Sequence, residues 1–539
     1  MRKKALFIII VVCVFLLISS PLFMISHDSE CRAEDEKPAK NHVKGVSKEL
    51  SQIINNDRYK NASWGIFVKE LESGRILFEL NADKMFVPAS TTKIFSVYSA
   101  IETLGADYKF KTPVYRRGNI SKSGVLDGDL ILVASGDLTM GGRTTPDNKI
   151  AFKNTDHSYA DALPGAELTE QDPLAGLNQL AKQVSSNGIR EVKGDVIIDD
   201  RLFETHKAQD KNVYFILTPI MINDNLIDLV IKPAKKGEMA KVEWRPHTEV
   251  YRVKSEVKTV APGKPAEIEV SSNDDKTIVV RGQIPFGSKE IVKIYQAQDP
   301  ASFARSLFIE ALRRNGVKVK SAVKSKNNRK NLPKNQDYSG FKKAAQLVSP
   351  PFYENAKLIL KTSMNIHADM LPMLIAAANG KKTFEEGMQL MCPVIKKSGI
   401  DMNTISLSDA EGGTRSDRFT PRTVSGILEY ISKQPYFDKY HYCLPILGVD
   451  GSLVSAVGKK SPAVGKIQAK TGSTIAGDVL NNRGILLSKS LAGYAVTKNN
   501  KKLIFAVYVN NAPVSSFKEI AQIADDIGRI CELIYGGQI

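Results

Sequence analysis

In the stretch VPASTTKIF, Ser90 precedes Lys93 by three positions. One helical turn separates them, so both side chains face the same way. The apolar positions Ile94, Val97, Tyr98, Ile101 and Leu104 keep the helical period, and Gly105 marks a stop. At a helix N-terminus, free backbone N–H groups and the positive dipole end favour a developing oxyanion. A serine hydroxyl is a poor nucleophile until a base takes its proton. Lysine can be that base where desolvation or a nearby cation weakens its hold on the proton. The spacing alone decides nothing, because Ser321 and Lys324, Ser339 and Lys342, and Ser515 and Lys518 share it.

Two further parts would complete an acyl-transfer site. A polar cluster must relay the proton to the leaving group, and a strand must hold the substrate and complete the oxyanion hole. Ser363-Met364-Asn365 falls at a helix turn, and Lys470-Thr471-Gly472-Ser473 reads as a strand. Ser-x-x-Lys, Ser-x-Asn and Lys-Thr-Gly in this order form the signature of penicillin-binding proteins and serine β-lactamases.

Longer stretches carry a closer likeness. VPASTTKIF, LDGDLILVASGDLTM, IREVKGDVIIDD, ILTPIMINDNLIDLVIKPA, SMNIHADML, LPILGVDGSL and LAGYAVT resemble landmarks of the D-alanyl-D-alanine carboxypeptidase/endopeptidase family, the class C low-molecular-mass penicillin-binding proteins. The resemblance covers most of residues 47 to 535. It implies an α/β (α+β) fold: a penicillin-binding transpeptidase/β-lactamase-like catalytic domain with inserted β-rich domains. It also implies roles. Ser90 becomes the acyl-ester nucleophile and Lys93 the general base. Ser363 and Asn365 shuttle the proton and hold the substrate amide. Lys470 and Thr471 engage a terminal carboxylate, and Gly472 and Ser473 continue the substrate-binding strand. Backbone N–H groups of Ser90 and Ser473 form the oxyanion hole. The implied partners are peptidoglycan stem peptides and β-lactams, with no cofactor and no metal. Two rival readings use the same motifs: a β-lactamase-like hydrolase that deacylates fast, and a non-catalytic penicillin-sensing or wall-binding protein.

The sequence departs from the family pattern in two places. The family's DGSGLS appears here as DAEGGT, with Glu411 in place of the middle serine; this is read as a change in a rim loop. After KTGS, the segment 474–490 is about ten residues longer than the family's hairpin. Its plain reading is a loop tip. Its apolar Ile485, Leu486 and Leu487 instead favour folding back near the groove. His367, Met364, Met370, Met373 and Trp244 read as packing residues, and Asp369 as a helix hydrogen-bonding residue.

The elements that must position these residues fall into blocks. Residues 47–110 read as helix, two strands and the nucleophile helix, the first part of the catalytic domain. Residues 111–295 are strand-rich and punctuated by Gly, Pro, Asn and Asp, one or two inserted domains separable from the catalytic core. Residues 296–539 return to helices and end strand, strand, helix, the second part of the catalytic domain.

At 539 residues the chain is long for one domain. Its formal charge of +17 favours anionic partners such as an acidic cell-wall polymer or a membrane surface. No zinc-finger spacing or aromatic ribonucleoprotein motif accompanies the charge, so nucleic acid is not expected. The basic start and the apolar run of residues 5–25 predict export to the periplasm or the extracytoplasmic face of a membrane. Residues 1–33 then form a signal peptide or N-terminal anchor, and 34–46 a linker. Of five cysteines, Cys13 and Cys31 lie in that leader, which leaves Cys392, Cys443 and Cys531, too few for a disulfide scaffold. The seven histidines contain no His-x-x-x-His pair, which argues against zinc.

Overall fold

The computed structural model describes residues 47–539 apart from 211, 212, 273 and 275. The expected leader, the linker, Cys13 and Cys31 lie outside the described residues. Among the described residues, no helix is long and apolar enough to cross a membrane. Cys392, Cys443 and Cys531 are free thiols.

An antiparallel sheet carries the catalytic region. Its strands run in the order Ile467–Asp478, Arg483–Val496, Lys502–Asn510, Ser63–Glu70 and Ile76–Leu80, with Ala512–Val514 added beside Arg483–Val496. The central strand Lys502–Asn510 shows why the sheet is covered on both faces. Leu503, Phe505, Val507 and Val509 enter one apolar cluster, with the helices Lys48–Ile54 and Phe517–Gly536. Ile504, Ala506 and Tyr508 point to the other face, into the cluster under Lys93–Leu104 and Pro421–Ser432. Strand geometry sends alternate side chains to opposite faces, so a continuous apolar run is what a doubly covered strand requires.

The inserted region builds a second sheet, in the order Lys318–Val319, Glu191–Val192, Val125–Val133, Lys111–Ile120 and Lys342–Val348, with Val196–Asp199 also on Val125–Val133. The helices Ala175–Ser186 and Pro300–Arg314 share its apolar cluster with two three-stranded sheets. Residue 295 is therefore not where the strand pairing returns to the catalytic sheet. The helix Pro300–Arg314 packs in the inserted region, and Lys342–Val348 pairs with its first strand. The chain enters and leaves this sheet through neighbouring strands. Helical periodicity after residue 299 says only that a helix forms, not which sheet it covers.

Separability is also qualified. Leu138, Phe203, Leu217 and Leu226 of the insertion belong to the same apolar cluster as Ile94, Phe95 and Met370 of the catalytic helices. A buried polar cluster crosses the same seam. Arg143 pairs with Asp156 at 2.6 Å and Asp224 at 2.9 Å. His157 bonds Asp224 at 2.7 Å and Asp228 at 2.5 Å, and Asp224 reaches His367 on the helix Asn365–Ala378 at 2.7 Å. Asp156, His157 and Asp224 lie close enough to one another to ligate an ion. However, Arg143 already pairs with both carboxylates, and His157 spends both ring nitrogens on Asp224 and Asp228. This is a salt-bridge network that joins two parts of the fold.

Candidate active site

Ser90 sits in a short 3₁₀ turn, Ala89–Thr92, that runs directly into the α-helix Lys93–Leu104. Ala89, just before the serine, has φ +49° and is fully buried, so the turn that carries Ser90 stores backbone strain. Several bonds hold it there. Asn510 clamps Val87, its Oδ1 accepting from the backbone N–H at 2.7 Å and its Nδ2 donating to the carbonyl at 3.2 Å. Thr91 Oγ1 and Ser490 Oγ both donate to the Pro88 carbonyl, at 2.7 and 2.8 Å.

Three segments far apart in sequence converge on this turn. Lys93 Nζ is fully buried and lies 3.0 Å from Ser90 Oγ, 2.7 Å from Asn365 Oδ1 and 2.7 Å from the Glu411 carbonyl. Ser363 is the left-handed cap of the helix Phe352–Thr362, with φ +63°, and Asn365 opens the next helix. That joint turns both side chains of the second motif into the groove. Lys470 Nζ, on the strand Ile467–Asp478, donates to Ser363 Oγ at 2.8 Å. The same strand is an edge of the catalytic sheet. Thr471 Oγ1 meets Ser452 Oγ at 2.7 Å, and Ser473 Oγ accepts from Lys489 Nζ at 2.8 Å. At Gly472 a Cβ would lie 2.2 Å from Ser490 Oγ and 2.6 Å from the Pro88 carbonyl, so only glycine lets the strand lie this close to the turn that carries Ser90.

Electrostatics follow from burial. Desolvation, with Lys93 and Lys489 as neighbouring cations, holds Lys470 well below the usual ammonium range. On the other side of Lys93, burial and then the charges of Glu411 and Asp409 hold Asp369 well above the usual carboxylate range. Asp417 is pushed up to about 8 by burial and by Asp409.

Hydrogen bonds link Ser90, Lys93 and Asn365 in one group and Ser363 with Lys470 in another, and Thr471, Gly472 and Ser473 line the adjoining strand. Met364, Met370 and Met373 are core residues, and Trp244 packs edge-on against His247. His367 is buried but bonded to Asp224, and Asp369 Oδ1 accepts from the Ala410 N–H at 3.3 Å. Glu411 differs from its reading as a rim residue: it is 4% exposed, and its carboxylate lies 3.5 Å from Lys93 Nζ. The loop that carries it packs on the turn of Ser90, where a Cβ on Gly412 would lie 2.0 Å from the Ala89 carbonyl.

Sequence reasoning missed Tyr159. This tyrosine of the insertion donates to the Ser363 carbonyl, and its hydroxyl lies 3.1 Å from Asn365 Oδ1. No motif spacing marks it, because it reaches the site through the packing of the insertion.

A serine–lysine pair on a helix, a Ser-x-Asn joint and a Lys-Thr-Gly edge strand over an antiparallel sheet define the penicillin-binding, β-lactamase-like class of serine acyltransferases. The D-Ala-D-Ala carboxypeptidase 3 (S13) family model matches residues 46–529, and the chain belongs to that family. It is a serine-type D-Ala-D-Ala carboxypeptidase, a hydrolase. It is similar to a D-alanyl-D-alanine carboxypeptidase from an Actinomadura species, 24% identical over 449 residues that cover 79% of this chain and 76% of the relative. Another from Haemophilus influenzae is 26% identical over 463 residues, covering 83% and 85%. The crystal structure of penicillin binding protein 4 from Haemophilus influenzae superposes with a TM-score of 0.66 at 20% identity, covering 90% of this chain and 99% of that one. This likeness carries the fold.

Proposed function

We propose that the protein is exported and cleaves the D-Ala-D-Ala end of peptidoglycan stem peptides, or the cross-links between them, through a covalent intermediate on Ser90. The observation that carries this is the surroundings of Lys93 Nζ. Asn365 Oδ1 and the Glu411 carbonyl, each at 2.7 Å, accept from this nitrogen. Ser90 Oγ lies 3.0 Å from it, within reach of direct proton transfer.

In the first step Ser90 Oγ attacks the peptide carbonyl as its proton passes to Lys93. The oxyanion is held by the backbone N–H groups of Ser90 and Ser473. The C–N bond then breaks, and the departing amine takes a proton through Ser363. In the second step water hydrolyses the ester. Lys470 and Thr471 bind the terminal carboxylate, and Asn365 donates its Nδ2 to the substrate amide. The open edge of the strand Ile467–Asp478 suits an extended peptide laid alongside it. A β-lactam would acylate the same serine. A related structure of the Haemophilus influenzae protein is a complex with a β-lactam. The formal charge of +17 suits an anionic wall or membrane surface.

Intact-mass spectrometry after incubation with benzylpenicillin tests the nucleophile. The wild-type protein should gain one adduct and Ser90→Ala none; an adduct that persists in the variant would overturn the assignment. Mass analysis of muropeptide products separates loss of D-alanine from cleavage of cross-links.

A further inference from the structure

We propose that Glu411 is a positioning residue for the general base: its buried carboxylate holds the protonated form of Lys93 and so sets the pH at which Ser90 becomes a nucleophile. The inference rests on the roles given above to Ser90 and Lys93.

The loop is built to aim this side chain inward. Asp409 Oδ1 accepts from the N–H groups of Glu411 at 3.0 Å and Gly412 at 2.5 Å, and its Oδ2 from that of Thr414 at 2.6 Å. Ser96, on the nucleophile helix, donates to the Ala410 carbonyl at 2.8 Å. These bonds place the Glu411 carbonyl and carboxylate on one lysine nitrogen, at 2.7 and 3.5 Å. An opposite charge this near in a desolvated site favours the charged form of its partner.

The other groups around the pair decide where the negative charge sits. Lys93 faces Ser90 on its own turn, Asn365 and Asp369 on the second-motif helix and Lys470 on the third-motif strand. Glu411 faces Lys93, Lys470, Asp369 of the second-motif helix, and Asp409 and Asp417 of its own loop. A cavity of about 450 Å³ adjoins it, lined also by His206, Lys207 and Glu385. Burial, with Glu411 and Asp409 beside it, pushes Asp369 toward its neutral form. The Glu411 carboxylate is the one that pairs with Lys93 Nζ, at 3.5 Å.

The proton balance is simple. Attack breaks the Ser90 O–H bond and forms an Oγ–C bond, and the proton becomes part of a Lys93 ammonium beside the Glu411 carboxylate. When the C–N bond breaks, a proton goes to the leaving amine and Lys93 returns to its neutral form. Glu411 stabilises the ammonium at every stage, so the free enzyme needs a higher pH before the lysine can accept.

The experiment measures the rate of acylation by benzylpenicillin against pH, with intact mass and melting temperature as controls. Glu411→Gln should move the acidic limb to lower pH by about one unit or more. Glu411→Asp, which keeps the charge, should leave it closer to its original place. Asp369→Asn should move the limb less than Glu411→Gln, since burial already pushes this carboxyl toward its neutral form. Glu411→Ser serves if the glutamine variant does not fold. A limb that stays put in a folded Glu411→Gln or Glu411→Ser protein overturns the inference, as does a limb that moves further in Asp369→Asn. Absence of any wild-type adduct on Ser90 would instead remove the functional reading on which it rests.

Discussion

Ser490 Oγ donates to the Pro88 carbonyl at 2.8 Å, across 402 residues of sequence. The bond ties the second strand of the catalytic hairpin to the turn that presents Ser90. Gly472 pairs directly with Ser490 in the sheet and has no room for a side chain on that face. Gly472→Ala should therefore push the third-motif strand and the nucleophile turn apart. A displacement near 1 Å at a reacting group costs about a hundredfold in rate. Acylation by benzylpenicillin should fall by roughly that factor, and the melting temperature should drop by the equivalent of about 1–3 kcal/mol of overpacking. Ser490→Ala in the same protein should recover part of the loss, because one of the two clashing atoms is then gone. An unchanged acylation rate in Gly472→Ala would show that the contact does not set the geometry.

Lys93→Arg tests whether the residue is a base or only a charge. Guanidinium stays protonated throughout the accessible range and has no lone pair to offer. The variant keeps the positive charge, yet acylation should fall by about 10²–10⁴-fold, the usual contribution of a general base. Stopped-flow measurement of β-lactam acylation checks this. Near-normal rates would show that positive charge suffices.

Much of this site was legible in the sequence, because three motifs have fixed spacing and local geometry. Ser90 and Lys93 are one turn apart on a helix whose apolar positions are regular, so their shared face follows from helical geometry alone. The order of the motifs also predicts convergence. Tyr159 could not be found in this way, since it reaches Asn365 only through the insertion's tertiary packing. The place of Glu411 was hidden for a related reason. A glutamate in a polar loop reads as exposed, and only the fold shows Asp409 turning it toward Lys93. The end of the inserted sheet was missed because the strand Lys342–Val348 pairs with residues more than two hundred positions earlier. Sequence patterns report element type well and long-range pairing poorly.

The seam between the insertion and the second motif should be sensitive to Asp224. Its carboxylate pairs with Arg143, His157 and His367, all buried. Removing one partner of a buried ionic network leaves uncompensated charge, at about 3–5 kcal/mol. Asp224→Ala should lower stability by that order in denaturant unfolding, and acylation should weaken as well, because His367 belongs to the helix that carries Asn365. A variant with wild-type stability would show that the network contributes nothing net.

The same network gives a pH dependence with a definite sign. Burial opposes charge on His157, but Asp228 and Asp156 outweigh it and raise its pKa from 6.5 to about 10. The folded protein therefore binds this proton more tightly than the unfolded chain does. The stabilisation is fully present below 6.5 and disappears as pH rises through about 10. Asp417, raised to about 8 from 3.8, acts with the same sign: its contribution is lost between those values. Thermal unfolding should therefore show falling stability on the alkaline side of neutrality. A His157→Gln protein should be less stable near neutral pH but show a flatter decline. Equal slopes in the two proteins would exclude His157 as the source.

The long hairpin makes the last prediction. The segment 474–490 is no irregular loop: the strands Ile467–Asp478 and Arg483–Val496 stay paired out to Asp478 and Arg483. Asp478 closes the turn by accepting from Asn481 and pairing with Arg483 at 2.9 Å. Folding back occurs at the base, where Leu486 is buried against Ala512–Val514. At the tip, Val479 and Leu480 are 77% and 92% exposed. Asp478 lies five positions beyond Ser473 along the strand, which at about 3.3 Å per step puts the turn roughly 17 Å beyond the third motif. A penicillin in the groove is too small to meet it, whereas a cross-linked peptide still attached to glycan is not. Replacing residues 478–483 by Asn-Gly keeps the Gly477–Gly484 pair and supplies a two-residue turn. Acylation by benzylpenicillin should stay within about twofold, because the groove residues keep their places. Cleavage of cross-linked muropeptides should rise if the ribbon narrows access to the groove. Equal effects on both reactions, or none on either, would reduce the ribbon to a structural extension of the sheet.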